Sequence, residues 1–251
     1  MTHNLGAQCD EFYINCRLFL KLDMSLDHEA ILHFFDRIRK EYPSLKKLRR
    51  REGGAFSLED ESDDQGSRRW VRLESNCLKF GSVAPTDLDD ARPFGKLILT
   101  QAPYYLTLSD LVYDHLEVVY GFDLRYRGNH DKLIAETLLS EHLAGEFLFS
   151  DRAHHVLDAQ PCFGIALNAD CDLQAYIEVK SRTSAYEVRG ENYPGAPISV
   201  LLTIRRYWGI ADGTSPDETL PVLFDTADEL ATERIVPGFV NPLAAAIAGR
   251  S

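Results

Sequence analysis

The sequence predicts an α+β fold: a tandem duplication of a βαββ unit, whose two similar halves form antiparallel sheet with helices packed on one face, plus a short C-terminal helix. Two observations carry this reading. Phe12, Ile14, Cys16, Leu18, Leu20, Leu22 and Met24 are apolar at period two, the signature of a half-buried strand, and an amphipathic helix follows at once. The same plan restarts at Leu116, Val118, Tyr120, Phe122, Leu124 and Tyr126. Sliding the first segment forward by 102 positions, the separation of Asp27 and Asn129, places Ile14 on Leu116, Cys16 on Val118, Leu18 on Tyr120 and His28 on His130. A repeat of this length is a domain-sized duplication, too long for a solenoid. The halves are predicted to span 1–104 and 105–251 and to pack as one globular unit.

Taken in order, the strand from Phe12 to Met24 leads into a helix that Asp27 caps, with Ile31, Phe34, Phe35, Ile38 and Tyr42 on one stripe that ends before Pro43. Strands are expected over 55–59, 68–74 and 77–83, separated by the acidic turn EDESDDQGS and by Ser75-Asn76. Gly53-Gly54 marks a turn. Residues 84–105, opening APTDLDDARPFG, read as a loop-rich connector around a short apolar segment at 96–100. In the second half, strands are expected near 162–167, 173–182 and 198–207. After Trp208 come an acidic loop, a segment from Thr226 to Arg234, a Pro237-Gly238 joint and the apolar tail NPLAAAIAGRS, predicted to dock on the protein's own core.

Composition sets the broad class. A hydrophobic fraction of 45% and a charged fraction of 26% over 251 residues describe a folded globular chain with enough core to need no metal or disulfide. A net charge of -12 argues against general nucleic-acid binding and against anionic membranes, while leaving room for a local basic patch. Five cysteines with no C-x-x-C pair fit reduced thiols, and the chain carries neither a signal-peptide pattern nor a long apolar run, so a cytoplasmic protein is expected.

Catalytic signatures are sparse. Gly128-Asn129-His130-Asp131 matches a fragment of metal-dependent phosphoesterases, but their further D-x-H and G-D-x-x-D ligands are missing. The tetrad reads instead as a strand end, a cap and a first helical turn. His154-His155 with Asp158 or Cys162 offers zinc-ligand types, although adjacent histidines diverge, and a solvated loop is expected. No G-x-S-x-G, P-loop or G-x-G-x-x-G is present, so no cofactor, metal or catalytic residue is assigned.

Two charged features remain as anion-binding candidates. One is the run Lys46, Lys47, Arg49, Arg50, Arg51, which follows Arg37, Arg39 and Lys40 on the first helix. The other is IEVKSR, in which Glu178, Lys180 and Arg182 share one strand face, with Arg205 as a further candidate cation. That alternation resembles a wall strand of the triphosphate-tunnel enzymes, whose closed barrels are lined by Glu, Lys and Arg. The resemblance ends at this strand and Arg205, because the E-x-E-x-K motif is absent.

The expected function is therefore a non-catalytic ligand- or protein-binding module. The alternatives are an enzyme or sensor for a phosphate-containing anion, which requires those cations to converge on one surface, and an assembly component that docks through its C-terminal helix. A protein partner or a homo-oligomer is compatible with each.

Overall fold

The computed structural model describes residues 5–24, 27–61, 67–85, 88–151, 153–209 and 213–250. Its framework is one nine-stranded antiparallel sheet in a mixed α/β fold. In chain order the elements are β1 (Glu11–Leu20), α1 (His28–Glu41), β2 (Leu45–Arg50), β3 (Phe56–Asp60), β4 (Arg68–Leu73), β5 (Cys77–Val83), α2 (Ala91–Leu106), β6 (Tyr113–Tyr126), α3 (His130–Leu138), α4 (Leu143–Leu148), β7 (Cys162–Ala166), β8 (Leu173–Lys180), α5 (Ala185–Gly190), β9 (Ala196–Tyr207), α6 (Pro216–Leu230) and α7 (Asn241–Ala248). The strand order is β2-β3-β4-β5-β1-β6-β9-β8-β7. The two long period-two segments thus lie side by side at the centre, with Cys16 opposite Val118, Ile14 opposite Tyr120 and Leu18 opposite Leu116.

Period-two alternation decides which face is covered. Ile14, Cys16, Leu18, Phe80, Val118, Tyr120, Phe122, Val200 and Leu202 are all buried in a single core that runs across both halves. α1, α2 and α6 form the layer on this side. Phe94 of α2 meets Phe80 edge-on at 6.4 Å, and Phe224 of α6 lies 6.4 Å from Tyr120. Arg92 of α2 pairs with Asp225 and Asp228 of α6, and Asp228 also accepts the Tyr120 hydroxyl proton at 2.6 Å. Residues at the alternate positions, such as Tyr13, Asn15, Arg17 and Phe19, are only half-buried.

Several expectations need correction. The first strand stops at Leu20 instead of Met24: pairing shifts register there, the Leu20 amide turns to Asn76, and Leu22 stands 67% exposed. The stretch read as a connector is largely the 16-residue helix α2, which buries Ala91, Phe94, Ile98, Leu99, Ala102 and Leu106 at helical spacing. Pro93 sits in its first turn, where a missing N–H costs nothing, and Pro103 in its last. The basic run after α1 forms the largely exposed edge strand β2, closed onto β3 by a turn in which Gly53 and Gly54 adopt φ of 75° and 82°, a conformation that favours glycine. The C-terminal pieces are not separated by a Pro-Gly joint. α6 continues through a π-helical segment, Ala231–Val240, that contains Pro237-Gly238, and runs on into α7. Leu243 of α7 is fully buried in the core, as the reading of an intramolecular tail requires. No described helix is long and apolar enough to cross a membrane. Part of the acidic turn, 62–66, falls outside the described residues.

Candidate functional site

The GNHD tetrad is a capping and bracing device. Asn129 accepts the Lys132 amide at 3.0 Å and donates to the Val156 carbonyl at 2.8 Å. His130 is the first residue of α3 and is 2% exposed. The Arg182 amide donates to its Nδ1 at 3.2 Å, which leaves Nε2 protonated toward the Tyr126 carbonyl. Burial pushes its pKa below the ordinary histidine value, outweighing the backbone contact and the charge of Asp131. Asp131, also buried, accepts from the Ala159 amide and the Ser181 hydroxyl. His154 and His155 are exposed, and among the described residues no group of three His, Cys, Asp or Glu side chains is placed to hold a metal. His28 occupies the matching first position of α1, but it is exposed, with Phe56 as its ring neighbour at 6.1 Å.

The cations gather on the face of the sheet that the helices leave open. Strand register sets them in a row: Arg49 of β2 lies opposite Ser57, Ser57 opposite Arg72, Arg72 opposite Lys79, Lys79 opposite Arg17, Arg17 opposite Glu117 and Glu117 opposite Arg205. Adjacent strands are about 4.8 Å apart, so the row from β2 to β9 crosses the sheet over roughly 29 Å. Two acids bear on it: Glu74 pairs with Lys79 at 2.6 Å, and Glu117 stands in the row itself. Glu117 is 2% exposed and sits between Arg17, at 3.6 Å, and Arg205, whose Nε donates at 2.7 Å. Burial alone raises its carboxyl pKa, but the hydrogen bond from His115 and the charges of Arg205 and Arg17 bring it below the usual range.

At the β2 end the row is least neutralised. Among the described residues neither Arg49 nor Arg72 is held in an ion pair, and the Arg72 Nε is buried without a hydrogen-bond partner. A groove of about 370 Å³ opens here, lined by Lys47, Arg49, Glu59, Arg68, Trp70 and Arg72. Arg51 reaches the same face, where it donates to Ser57 and Glu59.

Flat side chains flank the cations. Two residues along each strand from the cationic row runs a second row, Lys47, Glu59, Trp70, Gly81, Asn15, Val119, Thr203 and Tyr176. Arg72 lies 5.8 Å from the Trp70 ring, and Arg205 lies 5.1 Å from that of Tyr176. On the other side of the row, Phe19 stacks on His115 at 4.3 Å and Tyr207 follows at 5.0 Å.

The fold sorts the predicted residues. It brings Lys47, Arg49, Arg51 and Arg205 to one face, with the Glu178–Lys180 pair, 3.3 Å apart, toward its far edge. Arg182 lies beyond the end of β8, so it does not share that strand's face by alternation, although its guanidinium reaches Ser199 at 3.2 Å. Lys46 instead pairs with Glu61 and lines a cleft of about 580 Å³ with Arg37, Arg39 and Lys40, where Arg37 and Arg39 are already matched by Glu41 and Asp36. Arg50 falls on the helix side, 5.8 Å from the Phe56 ring. Sequence reasoning missed Arg17, Arg68, Trp70, Arg72 and Lys79. Their signal was the alternation R-x-W-x-R in β4 and the polar partners of the apolar series in β1 and β5.

No protein-family model matches the chain, and no curated protein matches it.

Proposed function

We propose that this chain is a non-catalytic binding module that holds an extended polyanion on the open face of its sheet. The observation that carries the reading is the row Arg49, Arg72, Lys79, Arg17 and Arg205, aligned across the strands of a protein whose net charge is -12. Six acids, Asp217, Glu218, Asp225, Asp228, Glu229 and Glu233, belong to α6 and the π-helical segment, while the open face sets Glu59 and Glu117 among a larger number of cations. An excess of positive charge on one side steers an anion to it. Five free cysteines suit a reducing, cytoplasmic setting.

The proposed architecture behind this face is a duplicated βαββ plan, with a dyad between β1 and β6. In its support, the 102-residue offset equates Cys16 with Val118, and those two residues are also paired across the central ladder, as a dyad through them requires. The order β3-β4-β5-β1 mirrors β7-β8-β9-β6. Superposing the halves should lay His28 on His130; a best fit that pairs other residues would remove the duplication without touching the binding reading.

Inorganic polyphosphate is the direct probe. It is expected to raise the melting temperature at low salt, because a ligand of the folded state alone must stabilise it. The double variant Arg49→Glu/Arg72→Glu should lose that shift while melting close to the parent, since Arg49 is exposed and Arg72 half-buried. Absence of any polyphosphate effect on the parent in 20 mM salt would end this reading.

A further inference from the structure

We infer that the polyanion is a single-stranded nucleic acid laid across the strands, its phosphates along the Arg49–Arg72–Lys79–Arg17 row and its bases against the flanking rings. The inference rests on the anion-binding reading above and adds the ligand class. Three features single out this class.

The first is the pairing of charge with flat surface. Trp70 stands two residues from Arg72 along β4, and Phe19 two from Arg17 along β1, about 6.8 Å in each case, so a chain running across the sheet meets a ring beside two of the four cations. Inorganic polyphosphate has no group that uses rings. A nucleotide chain does, because every base offers a π-face to an aromatic platform while its phosphate seeks a cation.

The second is the shape of the face. The helices α1, α2 and α6 pack on the other side of the sheet, so none of these three enters a major groove from this face, and a duplex keeps its bases stacked inside. A single strand can splay its bases onto the surface.

The third is how the rings lie. Trp70 faces Gly81 on the neighbouring strand, where β1 fills the place a side chain would take, so β5 sets no side chain of its own directly opposite the indole. At Gly164 and Gly121 the rings of Tyr176 and Tyr13 occupy that place themselves and lie down on the sheet. Trp70 lines the groove in which Arg49 and Arg72 lack ion-pair partners.

The test is fluorescence anisotropy with labelled 15-nucleotide dT and rU strands, the matching duplex, and inorganic polyphosphate as competitor. Single strands are expected to bind more tightly than duplex. The slope of log affinity against log salt should be near -3 if about four phosphates are neutralised, at roughly -0.7 per phosphate. Trp70→Ala should weaken single-strand binding about 5- to 100-fold, as loss of one stacked base does. Trp70→Phe should restore most of it, and polyphosphate binding should be unchanged in both. The intrinsic Trp fluorescence of the parent should be quenched on binding. Polyphosphate binding without oligonucleotide binding, equal affinity for duplex, or equal loss of both ligands in Trp70→Ala would overturn this inference and leave the anion face standing. Failure of both ligands removes the two readings together.

Discussion

Phe80→Ala is expected to lower the unfolding free energy by about 3–5 kcal/mol, read from the denaturation midpoint at unchanged slope. Phe80 sits at the middle of β5 and is 1% exposed. Its ring meets Phe94 edge-on, and a Cβ at Gly95 would lie only 2.9 Å from its Cε2. α2 therefore approaches the sheet as closely as a residue without a side chain permits. Truncation leaves a void that Gly95 cannot fill by rotating anything into it. The cost then includes the cavity as well as the lost transfer term. A loss under about 1 kcal/mol would mean that α2 does not pack on β5 as described.

Glu117→Gln is expected to act in two opposite directions. It removes the only carboxylate in the cationic row, so polyanion affinity should rise severalfold while the folded state weakens. Breaking a buried ion pair costs about 3–5 kcal/mol. Here the partners Arg17 and Arg205 keep 38% and 26% of their side-chain surface in contact with water, which reduces the expected loss to roughly 2–3 kcal/mol. The pH profile separates charge from packing. Glu117 has a folded pKa held below its ordinary value, so its contribution is present above that value and is lost as pH falls through the lowered one. Glu117→Gln should lose that part of the parent's acid-side slope. Melting curves from pH 7 to pH 3 check this. An unchanged acid slope, or weaker polyanion binding, would show that Glu117 is neither a stabilising anion nor a brake on the row.

Much of the framework was legible because burial on one side writes itself as alternation. The strand at 77–83 and the stripe of Ile31, Phe34, Phe35 and Ile38 could be placed from periodicity alone, and the Asn129 cap from its residue type. α2 was obscured by Pro93, Gly95 and Pro103, three residues normally read as breakers, even though Phe94, Ile98, Leu99 and Ala102 keep helical spacing. Pro93 lies in the first turn, where its missing N–H costs nothing, Pro103 gives up one hydrogen bond near the end of the helix, and Gly95 answers to the Phe80 ring. β2 was hidden by composition, since LKKLRR looks like a charge run until Leu45 is seen to be buried and Leu48 to pair with Leu58. The site was harder still. Whether Arg17, Arg49, Arg72 and Arg205 fall in one row depends on register between strands distant in sequence, and one step of slip would send any of them to the other face.

The central place of β1 also orders events during synthesis. Its two ladder partners are β5, some sixty residues later, and β6, about a hundred residues later. As the chain emerges, β1 can close with β5 and collect β4, β3 and β2, yet its other edge stays open until β6 arrives. At about 5–20 residues per second that interval lasts on the order of a few seconds. Throughout it, the nascent sheet exposes an apolar, unpaired strand that carries Phe12, Ile14 and Leu18, the kind of edge that invites pairing with a neighbouring chain. Non-local pairing of this kind also slows folding. The seam that unites the finished sheet is thus the place where a half-made copy of this chain is most open to misassembly.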